Sequence, residues 1–142
     1  MEIFLAGEGD VLELVRLFHQ LTKRYEDDPD AVGMALRHQS TDVLIAVEAG
    51  RILGTATVSS RAVPSFGLVA YVDDVVVDEK SRGRGVAQAL MEHIKTRALQ
   101  RGHRGIELTS RPEREEANEL YKGLGYNLRD TNKYFLRLDE EY

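Results

Sequence analysis

Cysteine is absent from the 142 residues. That excludes disulfides, thiolate metal sites and a covalent cysteine acyl-enzyme. The four histidines, His19, His38, His93 and His103, show no pair at ligand spacing and read as surface or boundary residues, so no metal is expected. No apolar run approaches the ~20 residues of a membrane-spanning helix. The opening Met1-Glu2-Ile3-Phe4-Leu5 lacks the basic and apolar regions of a secretory signal, and the reading is a cytoplasmic protein with no membrane partner. Basic residues are too few for a nucleic-acid face: 19 Lys and Arg stand against 24 Asp and Glu, a net charge of −5. Such a surface suits a cationic or neutral small molecule. With 42% hydrophobic and 30% charged residues, and no repeat, low-complexity tract or linker, residues 1–142 read as a single globular domain.

Periodicity divides the chain into alternating elements. Glu2 to Ala6 reads as a short strand. Asp10 is placed to cap a helix in which Val11, Leu14, Val15, Phe18 and Leu21 recur at helical spacing. The acidic run Glu26-Asp27-Asp28-Pro29-Asp30 breaks that helix and opens a second one from about Pro29 to Arg37. Val43 to Glu48 and Ile52 to Ser59 flank the turn Ala49-Gly50-Arg51 and form an antiparallel hairpin. Leu68 to Val77 is a third strand. After a loop over 78–84, Val86, Ala87, Leu90, Met91, Ile94 and Ala98 mark one face of a long helix that ends at Arg101-Gly102. Ile106 to Thr109 follows as a short strand. Ser110 and Glu113 make a capping-box pattern for a last helix carrying Ala117, Leu120, Tyr121 and Leu124 and stopping at Gly125. Tyr126 to Arg129 and Lys133 to Leu138 are expected to close the chain as two strands. The fold class is α/β, a mixed and mostly antiparallel sheet with helices on both faces.

Arg82-Gly83-Arg84-Gly85-Val86-Ala87 lies where a strand hands over to a helix. Unpaired N–H groups and the helix dipole make that junction an anion site. Gly83 and Gly85 admit positive φ and close backbone approach, and Arg82 and Arg84 can add charge-assisted hydrogen bonds. A P-loop would require Gly-Lys-Ser/Thr, which is missing. A dinucleotide fingerprint would require a third glycine where Gln88 stands and a shorter lead than Asp78 to Arg82. Glu107 does lie near where a ribose-binding acid would fall, and a plain glycine-rich turn stays open as well.

The segment from Val75 to Leu90 resembles the signature of the GNAT superfamily of N-acetyltransferases, Arg/Gln-x-x-Gly-x-Gly/Ala, met here by Arg82, Gly85 and Ala87. Its second element, Ala-x-x-Leu/Phe-Tyr before Gly-Phe/Tyr, is matched by Ala117-Asn118-Glu119-Leu120-Tyr121 and Gly125-Tyr126. The resemblance covers residues 43 to 138 well. It implies a sheet splayed at the cofactor site and acetyl-coenzyme A as cosubstrate. The pyrophosphate would be wrapped by residues Arg82 to Ala87, with Gly83, Arg84, Gly85 and Val86 between them. The pantetheine arm would pair with main-chain groups of Val75 and Val77, in the manner of an added strand. Where many relatives carry a pantetheine-contacting Asn, seven residues before the helix tyrosine, this chain has Arg114; Asn118 is the expected substitute.

The chemistry implied is direct transfer of an acetyl group to a primary amine through a tetrahedral intermediate. Main-chain N–H of Val75 or Val76 would polarise the thioester carbonyl. Tyr121 is the candidate general acid, its phenol suited to a thiolate leaving group; on helical spacing alone it reads as a core tyrosine. Asp73 leads and Asp74 follows as candidate base, with a structural role for both as the alternative. Strand alternation should turn only one of them into the cleft unless a bulge intervenes. Small amines, polyamines and amino sugars are favoured over protein amines, and a homodimer is compatible with the family. A non-catalytic acetyl-coenzyme A sensor would keep the loop and need neither Tyr121 nor Asp73. A nucleotide-binding module is the third reading.

Overall fold

Val43, Leu44, Ile45 and Ala46 are each at most 5% exposed. Neighbouring strand residues point to opposite faces, so both faces of this strand are covered. In the computed structural model, which describes residues 1–139, that strand is β2 (Thr41–Glu48). It is preceded by β1 (Glu2–Leu5), α1 (Val11–Leu21) and α2 (Pro29–Arg37), and followed by β3 (Arg51–Val63) and β4 (Gly67–Val77). Next come α3 (Val86–Gln100), β5 (Gly105–Leu108) and α4 (Glu115–Gly123). The backbone partitions into two compact units, the first ending at Thr109 and the second beginning at Ser110.

The first unit holds the sheet, in the order β1-β2-β3-β4-β5. Every pairing is antiparallel except the last, β4 with β5, which is parallel. On one face, Leu14, Val15, Leu17 and Phe18 of α1 and Val32 of α2 pack with Val43, Ile45 and Val76. On the other, Leu90, Met91, Ile94 and Ala98 of α3 are buried, with Leu44 and Ala46 turned the same way by alternation. Each large apolar side chain so buried contributes roughly 1.5–3 kcal/mol before chain entropy is charged. Among the described residues no helix is long and apolar enough to cross a membrane.

Local chemistry places several boundaries. Asp28 Oδ1 accepts from Ala31 N at 3.0 Å and Pro29 occupies the first turn, so α2 starts where its cap dictates. Ala49 and Gly50, at φ 51° and 76°, form the two-residue turn between β2 and β3. Two sequence expectations fail at caps. Asp10 precedes α1, but its carboxylate accepts from Gly7 N at 2.8 Å, closing the turn before the helix. α4 begins at Glu115, behind Arg114, so the Ser110–Glu113 capping box does not form.

The two closing strands are also corrected. Residues 126–129 and 133–138 carry no strand pairing among the described residues, and Leu128, Tyr134, Phe135, Leu136 and Leu138 are 73–92% exposed. Their alternation has the strand period, but a strand exists only as part of a ladder, and no ladder forms there.

Candidate functional site

β5 pairs with β4 from Val69↔Gly105 to Val72↔Leu108, and the ladder stops there. β4 runs on to Val77 against β3 alone, so the sheet opens on the β5 side beyond Val72. Along that stretch the β3–β4 register slips. Thr57 faces Asp73 and Thr55 faces Val76, so two steps on β3 span three on β4. The extra residue makes a bulge at Asp74-Val75, with Asp74 at φ 52°. The bulge anticipated as the condition for displaying both acids is present, and Asp73 and Asp74 are both exposed.

The Asp74 carboxyl is pushed above the ordinary aspartate range, first by loss of solvation and second by the neighbouring Asp73 charge. The residue as a whole is open to solvent, which screens the neighbouring charge.

β4 leads through Asp78 into a 3-10 turn, Glu79–Ser81, and then into the glycine loop. Gly83 and Gly85 sit at φ 77° and 78°, and a Cβ placed on either would meet nothing within 4 Å. Backbone conformation, not crowding, is what calls for glycine here. Gly85 caps α3 without any side chain over the helix start, so the first N–H groups of α3 are left for another acceptor. Free N–H groups and the helix dipole at such a start could hold an anion such as a phosphate. The flanking arginines are engaged elsewhere in part: Arg84 pairs with Glu48, and Arg82 Nε reaches Val77 O at 3.5 Å.

Gly54 is a site residue that sequence reasoning missed. A Cβ there would lie 3.0 Å from both Val76 O and Val86 Cγ1. With no side chain there, β3 runs close beside Val76 of β4 and the first residue of α3, Val86. The only sequence signal was an isolated glycine inside a strand pattern.

In the second unit, Tyr121 of α4 is 7% exposed and meets Tyr126 edge-on, with ring centroids 6.1 Å apart. Its phenol is raised above the ordinary tyrosine value by burial, with the Arg114 charge pulling the other way. Asn118 Nδ2 donates to Arg111 O at 3.0 Å and to Pro112 O at 3.4 Å, closing the turn ahead of α4. Its amide nitrogen therefore has an internal task, which the sequence reading did not foresee. Among the described residues no group of three or more His, Cys, Asp or Glu is arranged to hold a metal ion.

Comparison with known proteins bears on this arrangement. The model of the acetyltransferase (GNAT) family matches residues 10–126. An uncharacterized N-acetyltransferase of Methanocaldococcus jannaschii is 37% identical over 70 residues, 49% of this chain and 31% of that protein. The match thus spans about a third of that relative's length. A ribosomal-protein-alanine N-acetyltransferase from Brucella melitensis biovar Abortus 2308 superposes with TM-score 0.82 at 22% identity, covering 97% of this chain and 100% of the other. An aminoglycoside acetyltransferase from an uncultured soil metagenomic sample superposes with TM-score 0.81 at 18% identity, covering 98% and 96%. At these identities the structural likeness is one of fold.

Proposed function

The chain belongs to the acetyltransferase (GNAT) family, and from that premise we propose that it transfers an acetyl group from acetyl-coenzyme A directly to a primary amine. The observation that carries the reading is the uncapped start of α3 behind Gly83 and Gly85, an anion cradle beside the opened edge of β4. Main-chain N–H groups of the loop from Arg82 to Ala87 would hold the pyrophosphate, and Val75 and Val77 would hydrogen-bond the pantetheine amides. Acetyl-coenzyme A supplies an activated thioester, so the protein need only position, deprotonate and protonate.

The amine nitrogen forms a bond to the carbonyl carbon, and the carbon–sulfur bond breaks. We assign removal of the amine proton to the Asp73–Asp74 pair, directly or through water; the raised Asp74 carboxyl supports this, because a stronger base accepts that proton more readily. Main-chain N–H at Val75 or Val76 would meet the developing oxyanion. Tyr121 would give its proton to the departing sulfur. A thiol has a pKa near ~8.5 and tyrosine near ~10, and burial moves Tyr121 further up. The phenol is therefore protonated at neutral pH, and donation must accompany carbon–sulfur cleavage as negative charge builds on sulfur. Small cationic amines are the preferred acceptors, given the net charge of −5 and two exposed carboxylates at the bulge.

The test is thiol release from acetyl-coenzyme A across a panel of small amines, polyamines, amino sugars and peptides. Turnover with at least one amine class is expected, and Tyr121→Phe should lower kcat by about 10²–10⁴-fold. Tight cofactor binding with no turnover on any amine would favour a sensor instead.

A further inference from the structure

The four residues between β4 and the glycine loop, Asp78 to Ser81, are held by a specific set of bonds from α1. Asp78 is 5% exposed. Its Oδ2 accepts from Arg16 Nη2 at 3.0 Å, and its Oδ1 from Gln20 Nε2 at 3.4 Å and Lys80 N at 3.4 Å. Gln20 turns its other end to the backbone, Oε1 accepting from Glu79 N at 2.8 Å. Arg16 and Gln20 are four apart, one helical turn, and so share the face of α1 that meets this segment. The main chain completes the attachment: Asp78 N donates to Leu53 O at 2.8 Å, and Ser81 N to Asp78 O at 2.8 Å. Leu53 is itself the extra residue where β3 slips against β2, since Ala46 faces Gly54 and Val47 faces Ile52.

We propose that Gln20, Arg16 and Asp78 act as positioning residues that set the height and tilt of the phosphate-binding loop, and thereby the affinity for acetyl-coenzyme A. The assignment rests on the reading of the loop as a pyrophosphate site. Gly83 and Gly85 have no side chains to hold them, and nothing packs within 4 Å of where their Cβ atoms would be. Apart from the exposed Arg84–Glu48 pair, the loop's conformation is consequently inherited from its two ends. α3 fixes one end through buried Val86, and the Asp78 attachment fixes the other. A glycine-rich cradle anchored at one end only would sample many geometries, and ordering it would be charged against cofactor binding. Gln20 suits the task because one side chain bonds both the carboxylate and the adjacent backbone N–H. None of the three groups has to touch the cofactor.

Calorimetric and steady-state measurements on Gln20→Leu, Arg16→Met and Arg16→Lys test this. Gln20→Leu and Arg16→Met should each raise Kd and KM for acetyl-coenzyme A about tenfold, the loss of one or two hydrogen bonds to a buried carboxylate or its turn. Their kcat at saturating cofactor and their KM for the amine should stay within about twofold. Arg16→Lys, which keeps the charge and one donor, should recover most of the affinity. Amide exchange over residues 82–87 should quicken in Gln20→Leu while α3 beyond its first turn is unchanged. A parent protein that binds no acetyl-coenzyme A would defeat the pyrophosphate reading itself. A parent that binds it, with Gln20→Leu folded and equally tight, would overturn the positioning role, as would a fall in kcat and melting temperature with Kd unmoved.

Discussion

Gly85 at φ 78° has, like Gly83 at φ 77°, a left-handed conformation in the cradle. Replacing it with alanine puts a Cβ into open space but onto a left-handed backbone, at a cost of roughly 1–2 kcal/mol. Gly85→Ala should accordingly lose stability by that order in urea melts and raise KM for acetyl-coenzyme A, with kcat much less affected. Two titrations belong to this scale too. The Asp73–Asp74 pair must be ionised to take a proton, and Asp74 holds its own above the usual carboxylate range. Activity should therefore fall as pH drops through that raised value, and Asp74→Asn should move or abolish this acidic limb of the kcat/KM profile. On the proposed mechanism Tyr121 must be protonated to donate, and burial raises its value. The alkaline limb of kcat should consequently lie above the ordinary tyrosine range and vanish in Tyr121→Phe. The conformation of Gly83 and Gly85 was legible because two glycines between a strand and a helix call for positive φ, which both adopt; helical spacing alone read Tyr121 as a core tyrosine, and it is buried. Gly54 was not legible, since its reason is a 3.0 Å approach to atoms more than 20 residues away in sequence.

Elements were read well where they carry their own punctuation. α2 begins at Pro29 behind Asp28 and ends at Arg37, and the β2–β3 turn sits at Ala49-Gly50, because caps and turns are decided by neighbours in sequence. The bulge at Asp74-Val75 was foreseen only as a condition, because a bulge is a mismatch in count between two strands and belongs to neither sequence alone. Tyr126 to Leu138 shows the reverse error: alternation promised strands, and no ladder among the described residues receives them. The turn at Glu79–Ser81 supplies the prediction at this scale. Burial alone would push the Asp78 carboxyl up, but hydrogen bonds from Arg16, Lys80 N and Gln20, with the Arg16 charge, hold it below its ordinary value. A depressed folded-state value means stability that is present above the unfolded value of ~3.9 and is lost as pH falls through the lower, folded one. Asp78→Asn should therefore cost about 1–3 kcal/mol at pH 7 and weaken the acid dependence of unfolding below about pH 4.

At the scale of the whole molecule, surface charge is the feature least tied to any one contact. Nineteen basic against 24 acidic residues leave a field that draws cations toward the protein. Salt shortens its reach from about 30 Å at 0.01 M to about 8 Å at 0.15 M. KM for a polyamine should rise over that range while KM for a neutral amino compound holds, and a flat response would count against cationic acceptors. On the proposed function, the cradle at the start of α3 takes the pyrophosphate of acetyl-coenzyme A rather than that of a dinucleotide. Calorimetric titration of the protein with acetyl-coenzyme A and with NAD, each repeated on Gly85→Val, decides it most directly. Saturable binding of acetyl-coenzyme A is expected, none of NAD, and at least a tenfold weakening in a Gly85→Val protein that remains folded, since a β-branched residue at φ 78° distorts the loop. Binding of NAD as tight as that of acetyl-coenzyme A, or binding indifferent to Gly85, would contradict it.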